Sequence, residues 1–103
     1  MLYTNLEDIL GKVRASLEMD DLAGAVAAIE ALRAPDQADL FYELDDEDQT
    51  ALLPHLDPED SADILEELED EDAARIVASL TREDAVRIIG ALLVLAGVVL
   101  VVA

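Results

Sequence analysis

Two groups of acidic residues have the spacing of a cation site on a helix. Each group has one acid followed by others three and seven positions later, and the groups are Asp60, Asp63 and Glu67, and Asp36, Asp39 and Glu43. Residues three or four positions apart share one face of an α-helix. Magnesium prefers oxygen ligands and usually keeps several waters, so one or two carboxylates can form a site. These six acids are therefore the candidate metal ligands, for weakly bound Mg²⁺.

Both groups belong to an internal repeat. Residues 33–92 divide without insertion into five twelve-residue units: RAPDQADLFYEL, DDEDQTALLPHL, DPEDSADILEEL, EDEDAARIVASL and TREDAVRIIGAL. Position 4 is always aspartate, position 12 is always leucine, and positions 8 and 9 are always apolar. This spacing is the apolar stripe of an amphipathic helix. Each unit therefore predicts one short helix.

Much of the acidic content is explained by helix starts. Asp45, Asp57 and Thr81 are predicted N-caps, and Pro58 stands at the first helical position, where its missing N–H costs nothing. Acids at positions 2 to 4 favour the positive end of the helix dipole. The acids at position 7 in units one and three are not needed for this purpose. They could equally be the solvated face of a helix. Pro54 predicts the end of the helix of unit two near Leu53.

Helices this short are not stable alone in water and must stack on one another. The predicted fold is an all-α solenoid, a superhelix of short stacked helices with twelve-residue repeats. Two further amphipathic helices are predicted before the repeats, over 4–19 and 20–33. The predicted division is a helical domain over 1–92 and an apolar C-terminal tail over 93–103.

Composition restricts the function. Twenty-five acids and six bases give a net charge of −19, which repels nucleic acids and anionic lipids and attracts cations or a basic partner surface. The chain has no cysteine, a single histidine (His55) and no glycine-rich phosphate loop, so an enzyme is not expected. The N-terminus lacks the features of a signal peptide, which favours a cytoplasmic location.

Particular segments resemble a known family. The links LDPED and LEDED, the run DSADILEELEDEDAARIVASL and the preceding DDLAGAVAAIEALRAPDQADLFYEL are similar to the cytosolic N domain of MgtE-type magnesium transporters. The resemblance covers residues 20–92 and implies a right-handed superhelix. It also implies a Mg²⁺-sensing role, in which this domain acts on a CBS-domain pair and a membrane channel. The D..AD context of that family favours Asp60 and Asp63 as ligands.

The C-terminus departs from that resemblance. Residues 88–103 contain no charge and follow Arg82 and Arg87, but a helix of this length reaches about 24 Å, less than the roughly 30 Å hydrocarbon core of a bilayer. The tail could pack on the last helix, insert in a membrane as a short anchor at its inner face, or be the altered end of a longer reading frame.

Two functional hypotheses follow. The first is a regulatory, Mg²⁺-responsive module that is not itself a transporter and whose partner is the CBS and channel portion of a magnesium transporter. The second is a structural solenoid whose acidic surface binds a basic protein, with a possible membrane contact through 88–103.

Overall fold

The computed structural model describes residues 5–95 and residue 97, and all regular structure in these residues is helical. The seven α-helices are α1 (Leu6–Glu18), α2 (Leu22–Glu30), α3 (Ala34–Glu43), α4 (Asp46–Leu52), α5 (Pro58–Glu67), α6 (Asp70–Ser79) and α7 (Arg82–Leu95), with a 3-10 turn over Leu53–His55. The all-α prediction is confirmed. In the described residues, no helix combines the length and apolarity needed to cross a bilayer.

The helices of the five repeat units begin at intervals of twelve residues, as the repeat predicts. Asp57 accepts a hydrogen bond from the Glu59 N–H and Thr81 accepts one from the Asp84 N–H, so both are N-caps. Asp45 precedes α4 but makes no side-chain cap bond, so that part of the prediction is wrong. Helix α4 ends at Leu52, where Pro54 removes a backbone donor and turns the chain into the 3-10 segment.

The helices alternate between two rows. In the first row α3 packs against α1 and α5, and α7 packs against α5. In the second row α4 packs against α2 and α6. The chain thus returns to the same row every 24 residues, and the result is an elongated stack measuring 51 × 30 × 24 Å. Helices of seven to fourteen residues gain their stability from this stacking.

The apolar stripe of the repeat forms the core. Position 8 is buried in every unit: Leu40, Leu52, Ile64, Ile76 and Ile88. Position 12 is buried in the first three units and half-buried in the last two. These side chains belong to one continuous cluster that extends from Leu10 in α1 to Ile88 in α7. The stripe predicted from the sequence is therefore the stacking surface.

Position 5 supplies a second, polar link between consecutive helices. The Gln37 amide donates to the Ile29 carbonyl (3.2 Å), the Gln49 amide to the Phe41 carbonyl (2.6 Å), and the Ser61 hydroxyl to the Leu53 carbonyl (2.7 Å). Each acceptor lies eight residues earlier, near the end of the preceding helix, where carbonyls lack intrahelical partners. All three donor residues are buried. The repeat thus satisfies a helix end with a side chain of the next unit.

Helix α7 continues to Leu95, three residues beyond the predicted domain boundary. The three alternatives for the tail concern residues that, from 98 onward, lie outside the described part of the chain. The division at residue 92 and the behaviour of the tail stay predictions.

Candidate functional site

Three open clefts lie at equivalent places along the first row, between stacked helices. The first cleft (about 450 Å³) lies between α1 and α3, the second (about 400 Å³) between α3 and α5, and the third (about 350 Å³) between α5 and α7. The second and third are related by 24 residues: Pro35 corresponds to Glu59, Glu66 to Gly90 and Glu67 to Ala91. The same cleft therefore recurs with different side chains.

The second cleft concentrates negative charge. It is lined by Asp63, Glu66 and Glu67 from α5 and by Ala34 and Pro35 at the start of α3. Asp63 is half-buried, whereas the two glutamates are exposed. No basic side chain lines this cleft in the described structure. Three carboxylates facing a small apolar floor form a surface that favours a cation.

Asp60 lies one turn before Asp63, in a more enclosed position. Burial raises the pKa of the Asp60 carboxyl, and the nearby carboxylates of Asp57, Glu30 and Asp63 raise it further. The amide of Gln37, within reach of the Asp60 carboxylate, partly opposes this increase in pKa. Asp60 thus carries an unfavourable charge at neutral pH, which a nearby cation would relieve.

Two further polar groups surround Asp60. The backbone N–H of Asp57 donates to Glu30 Oε2 at 2.9 Å, which brings α2 to the start of α5. Gln37 is 1% exposed, and its Oε1 atom has no hydrogen-bond partner in the structure. The start of α5 is therefore a junction of three helices with more acceptors than donors.

The other predicted group behaves differently. Asp36, Asp39 and Glu43 are all exposed on α3, and Glu43 lines the first cleft together with Arg14. Arg14 Nη2 donates to the backbone carbonyl of Glu43 at 2.8 Å. A guanidinium therefore accompanies the acid there. The two predicted groups occupy neighbouring helices, but they face separate clefts.

Units four and five explain why units one and three differ. Arginine takes position 7 in both, and it pairs with the aspartate of position 4: Arg75 with Asp72 at 2.7 Å, and Arg87 with Asp84. The hydrogen bond from Arg87 lowers the pKa of Asp84. The repeat thus neutralises its own acids in α6 and α7. In α5 the corresponding residue is Asp63, which adds negative charge instead.

The carboxylates do not converge on a single point. In residues 5–95 and 97, no three acidic or histidine side chains are close enough together to hold a metal ion. The six proposed ligands and the bound Mg²⁺ therefore stay predictions. The geometry fits an ion that keeps its waters and is held by one or two carboxylates.

The sequence missed two members of this region. Glu66 lines the second cleft although position 10 of the repeat varies, and its spacing of three from Asp63 was the available signal. Glu30 comes from α2, 30 residues before Asp60, and no local pattern indicates that the two approach each other.

Comparison with known proteins gives one family. A family model described as the MgtE intracellular N domain matches residues 32–94. No curated protein sequence matches significantly. A solved structure described as the soluble part of a magnesium transporter is similar at 14% sequence identity, with a TM-score of 0.41, over 85% of this chain and 49% of that chain. The chain thus spans about half the length of that structure.

Proposed function

Because the chain belongs to the MgtE intracellular N-domain family, we propose that it is a regulatory, Mg²⁺-responsive module of a magnesium transporter. Its role is to change its contacts with the other parts of the transporter according to the Mg²⁺ concentration. It neither carries out catalysis nor forms the transport path. The expected partner is the CBS and channel portion, and the expected location is intracellular.

The observation that carries the proposal is the second cleft. Asp63, Glu66 and Glu67 line it without a basic side chain among its lining residues, and the half-buried Asp60 lies one turn away. In the equivalent positions of α7 the acids are replaced by Arg87, Gly90 and Ala91. The charge is therefore specific to α5 and is not a general property of the repeat.

The cleft would respond to a hydrated cation as follows. The carboxylates of Asp63 and Glu67 accept hydrogen bonds from the waters of the ion or bind it directly. Their mutual repulsion and the cost of ionising Asp60 then decrease. A partner that brings its own acids to this face could approach only when the cation is present. The domain would thus dock at high Mg²⁺ and separate at low Mg²⁺.

A thermal melt tests this function. MgCl₂ at millimolar concentration should raise the Tm more than NaCl at matched ionic strength, because binding to the folded state adds to screening. Asp63→Asn combined with Glu67→Gln should remove the extra increase in Tm. Equal increases in Tm with the two salts would refute a specific Mg²⁺ response.

A matched control has the same loss of charge elsewhere. Glu47→Gln combined with Glu71→Gln removes two exposed acids from the second row, on α4 and α6. This variant should retain the extra Mg²⁺-dependent increase in Tm. If both double variants lose it equally, then the effect comes from total charge rather than from the second cleft.

The small apolar floor of the second cleft also supports a second candidate function. Ala34 and Pro35 beside three carboxylates suit the aliphatic stem and charged head of a lysine or arginine. The acidic solenoid would then dock a basic protein segment. In that case the affinity for a basic peptide should fall steeply as NaCl rises, with no preference for Mg²⁺ over Na⁺ at matched ionic strength.

A further inference from the structure

The last helix exposes part of the stripe that earlier units bury. In α5, positions 6 and 9 are Ala62 (0% exposed) and Leu65 (5%). In α7 the same positions are Val86 (66%) and Ile89 (42%). The difference is physical, because in the described structure α7 is the last helix of its row and no helix follows to cover it.

The exposed surface continues along α7. Val86, Ile89 and Val94 (74% exposed) lie on the same side of the helix, with Gly90 exposed between them. No charged residue occurs from residue 88 to the end of the sequence. We name the surface formed by Val86, Ile89, Gly90 and Val94 the end patch. Solenoids ordinarily present a polar outer face on the terminal unit, so an apolar end patch calls for a cover.

The path of the chain after α7 limits what that cover can be. Gly97 has φ of +73°, and its N–H donates to the Val94 carbonyl at 3.0 Å. A glycine in this left-handed conformation commonly ends a helix and turns the chain away from the helix axis. Residues 98–103, VVLVVA, follow that turn directly.

Length and chemistry agree with a cover formed by this segment. Six extended residues reach about 20 Å, whereas the end patch from Val86 to Val94 is about 12 Å long on a helix. The segment carries no polar side chain and the end patch carries no charge. From these observations we infer that residues 98–103 fold back from Gly97 and cover the end patch of α7.

Two other occupants fit the molecule less well. A stable contact between two copies buries about 800 Å² on each partner, and the end patch is a few side chains on one helix. Each copy also carries a net charge of −19, so two copies repel each other. A membrane surface with anionic lipids is repelled in the same way.

The inference can be tested in the full chain with a tryptophan probe, since the protein contains no tryptophan. Leu100→Trp places the probe in the tail. If the tail covers the end patch, then the monomer should show blue-shifted emission and weak quenching by acrylamide. Adding Val86→Asp, or separately Ile89→Asp, should shift the emission to the red and increase quenching, because a charge would be buried under the tail.

Controls distinguish the alternatives. Ala27→Asp, an exposed position on α2, should leave the emission unchanged, and circular dichroism should show that each variant is folded. The inference is overturned if the indole probe in the tail is fully exposed in the monomer, or if Val86→Asp and Ile89→Asp both leave it buried. It is also overturned if burial of the probe requires dimers in sedimentation velocity or added phosphatidylcholine vesicles.

Discussion

Asp60 is the residue whose ionisation opposes folding most clearly. Burial and the carboxylates of Asp57, Glu30 and Asp63 raise its pKa in the folded state. The folded state therefore binds the proton more tightly than the unfolded chain does. This contribution to stability is complete below the unfolded-state pKa and is lost as the pH rises through the folded-state pKa.

Asp60→Asn should accordingly raise the Tm at pH 7, because the amide avoids the cost of ionisation. The advantage over the natural chain should shrink as the pH falls towards 4, where Asp60 becomes protonated in both states. Melts of both proteins between pH 3.5 and 7.5, as in any acid titration of stability, measure the difference. A difference in Tm that is constant with pH would contradict the account of Asp60.

Gln49 joins three helices through one side chain. Its amide nitrogen donates to the Phe41 carbonyl, and its amide oxygen accepts a hydrogen bond from Arg75. Gln49→Ala leaves a buried carbonyl without its donor, which costs about 1–3 kcal/mol. The Tm should fall by about 4–8 °C for each kcal/mol in a domain of this size. Ala51→Ser, on the exposed side of the same helix, is the control and should change the Tm little.

Helix starts are the element-scale feature that sequence predicted best, and they also show its limit. Asp57 and Asp45 occupy the same position in consecutive units, yet only Asp57 accepts a backbone hydrogen bond. Pro58 fixes the first residue of α5 in helical geometry, and α4 lacks a proline there. A side-chain rotamer decides whether a cap bond forms, and the repeat pattern does not encode it.

The two aspartates therefore form a matched pair of equal charge. Asp57→Ala should reduce the free energy of unfolding by about 1 kcal/mol, since it removes a cap bond. Asp45→Ala should cost less than half as much, because no cap bond is lost. Urea denaturation of both variants measures the difference, and equal losses would show that charge at the helix end is what matters.

Other features of the elements could be predicted because they are periodic. The positions of all five repeat helices follow from the twelve-residue spacing, and the break at Pro54 follows from its missing donor. The alternation of the helices between two rows did not follow. It depends on the angle at each link, and it decides that α5 meets α3 rather than α4 along its acidic face.

At the scale of the whole molecule, the same cleft is repeated with different chemistry. The first cleft contains an arginine, the second has acids and no base among its lining residues, and the third combines Glu59 and Asp57 with Gly90, Ala91 and Val94. Sequence identified Asp60, Asp63 and Glu67 because they share one helix. It could not identify Glu30 or the separation of the two acidic groups, since both depend on packing between rows.

The continuous core predicts cooperative unfolding. Ile64 is fully buried at the centre of the stack. Ile64→Ala should cost about 2–5 kcal/mol, a large part of the stability of a small domain. Hydrogen exchange should then increase in all seven helices together. Faster exchange confined to α5 would show that the units of the solenoid unfold independently.

The most direct test of the central claim locates the cation. Mn²⁺, which also prefers oxygen ligands, can be added at low concentration to isotopically labelled protein while amide NMR signals are recorded. The account predicts that signals around Asp63, Glu66 and Glu67 broaden first and recover when excess Mg²⁺ is added. Uniform broadening across the acidic starts of α4, α5 and α6, with equal recovery in NaCl of the same ionic strength, would contradict it.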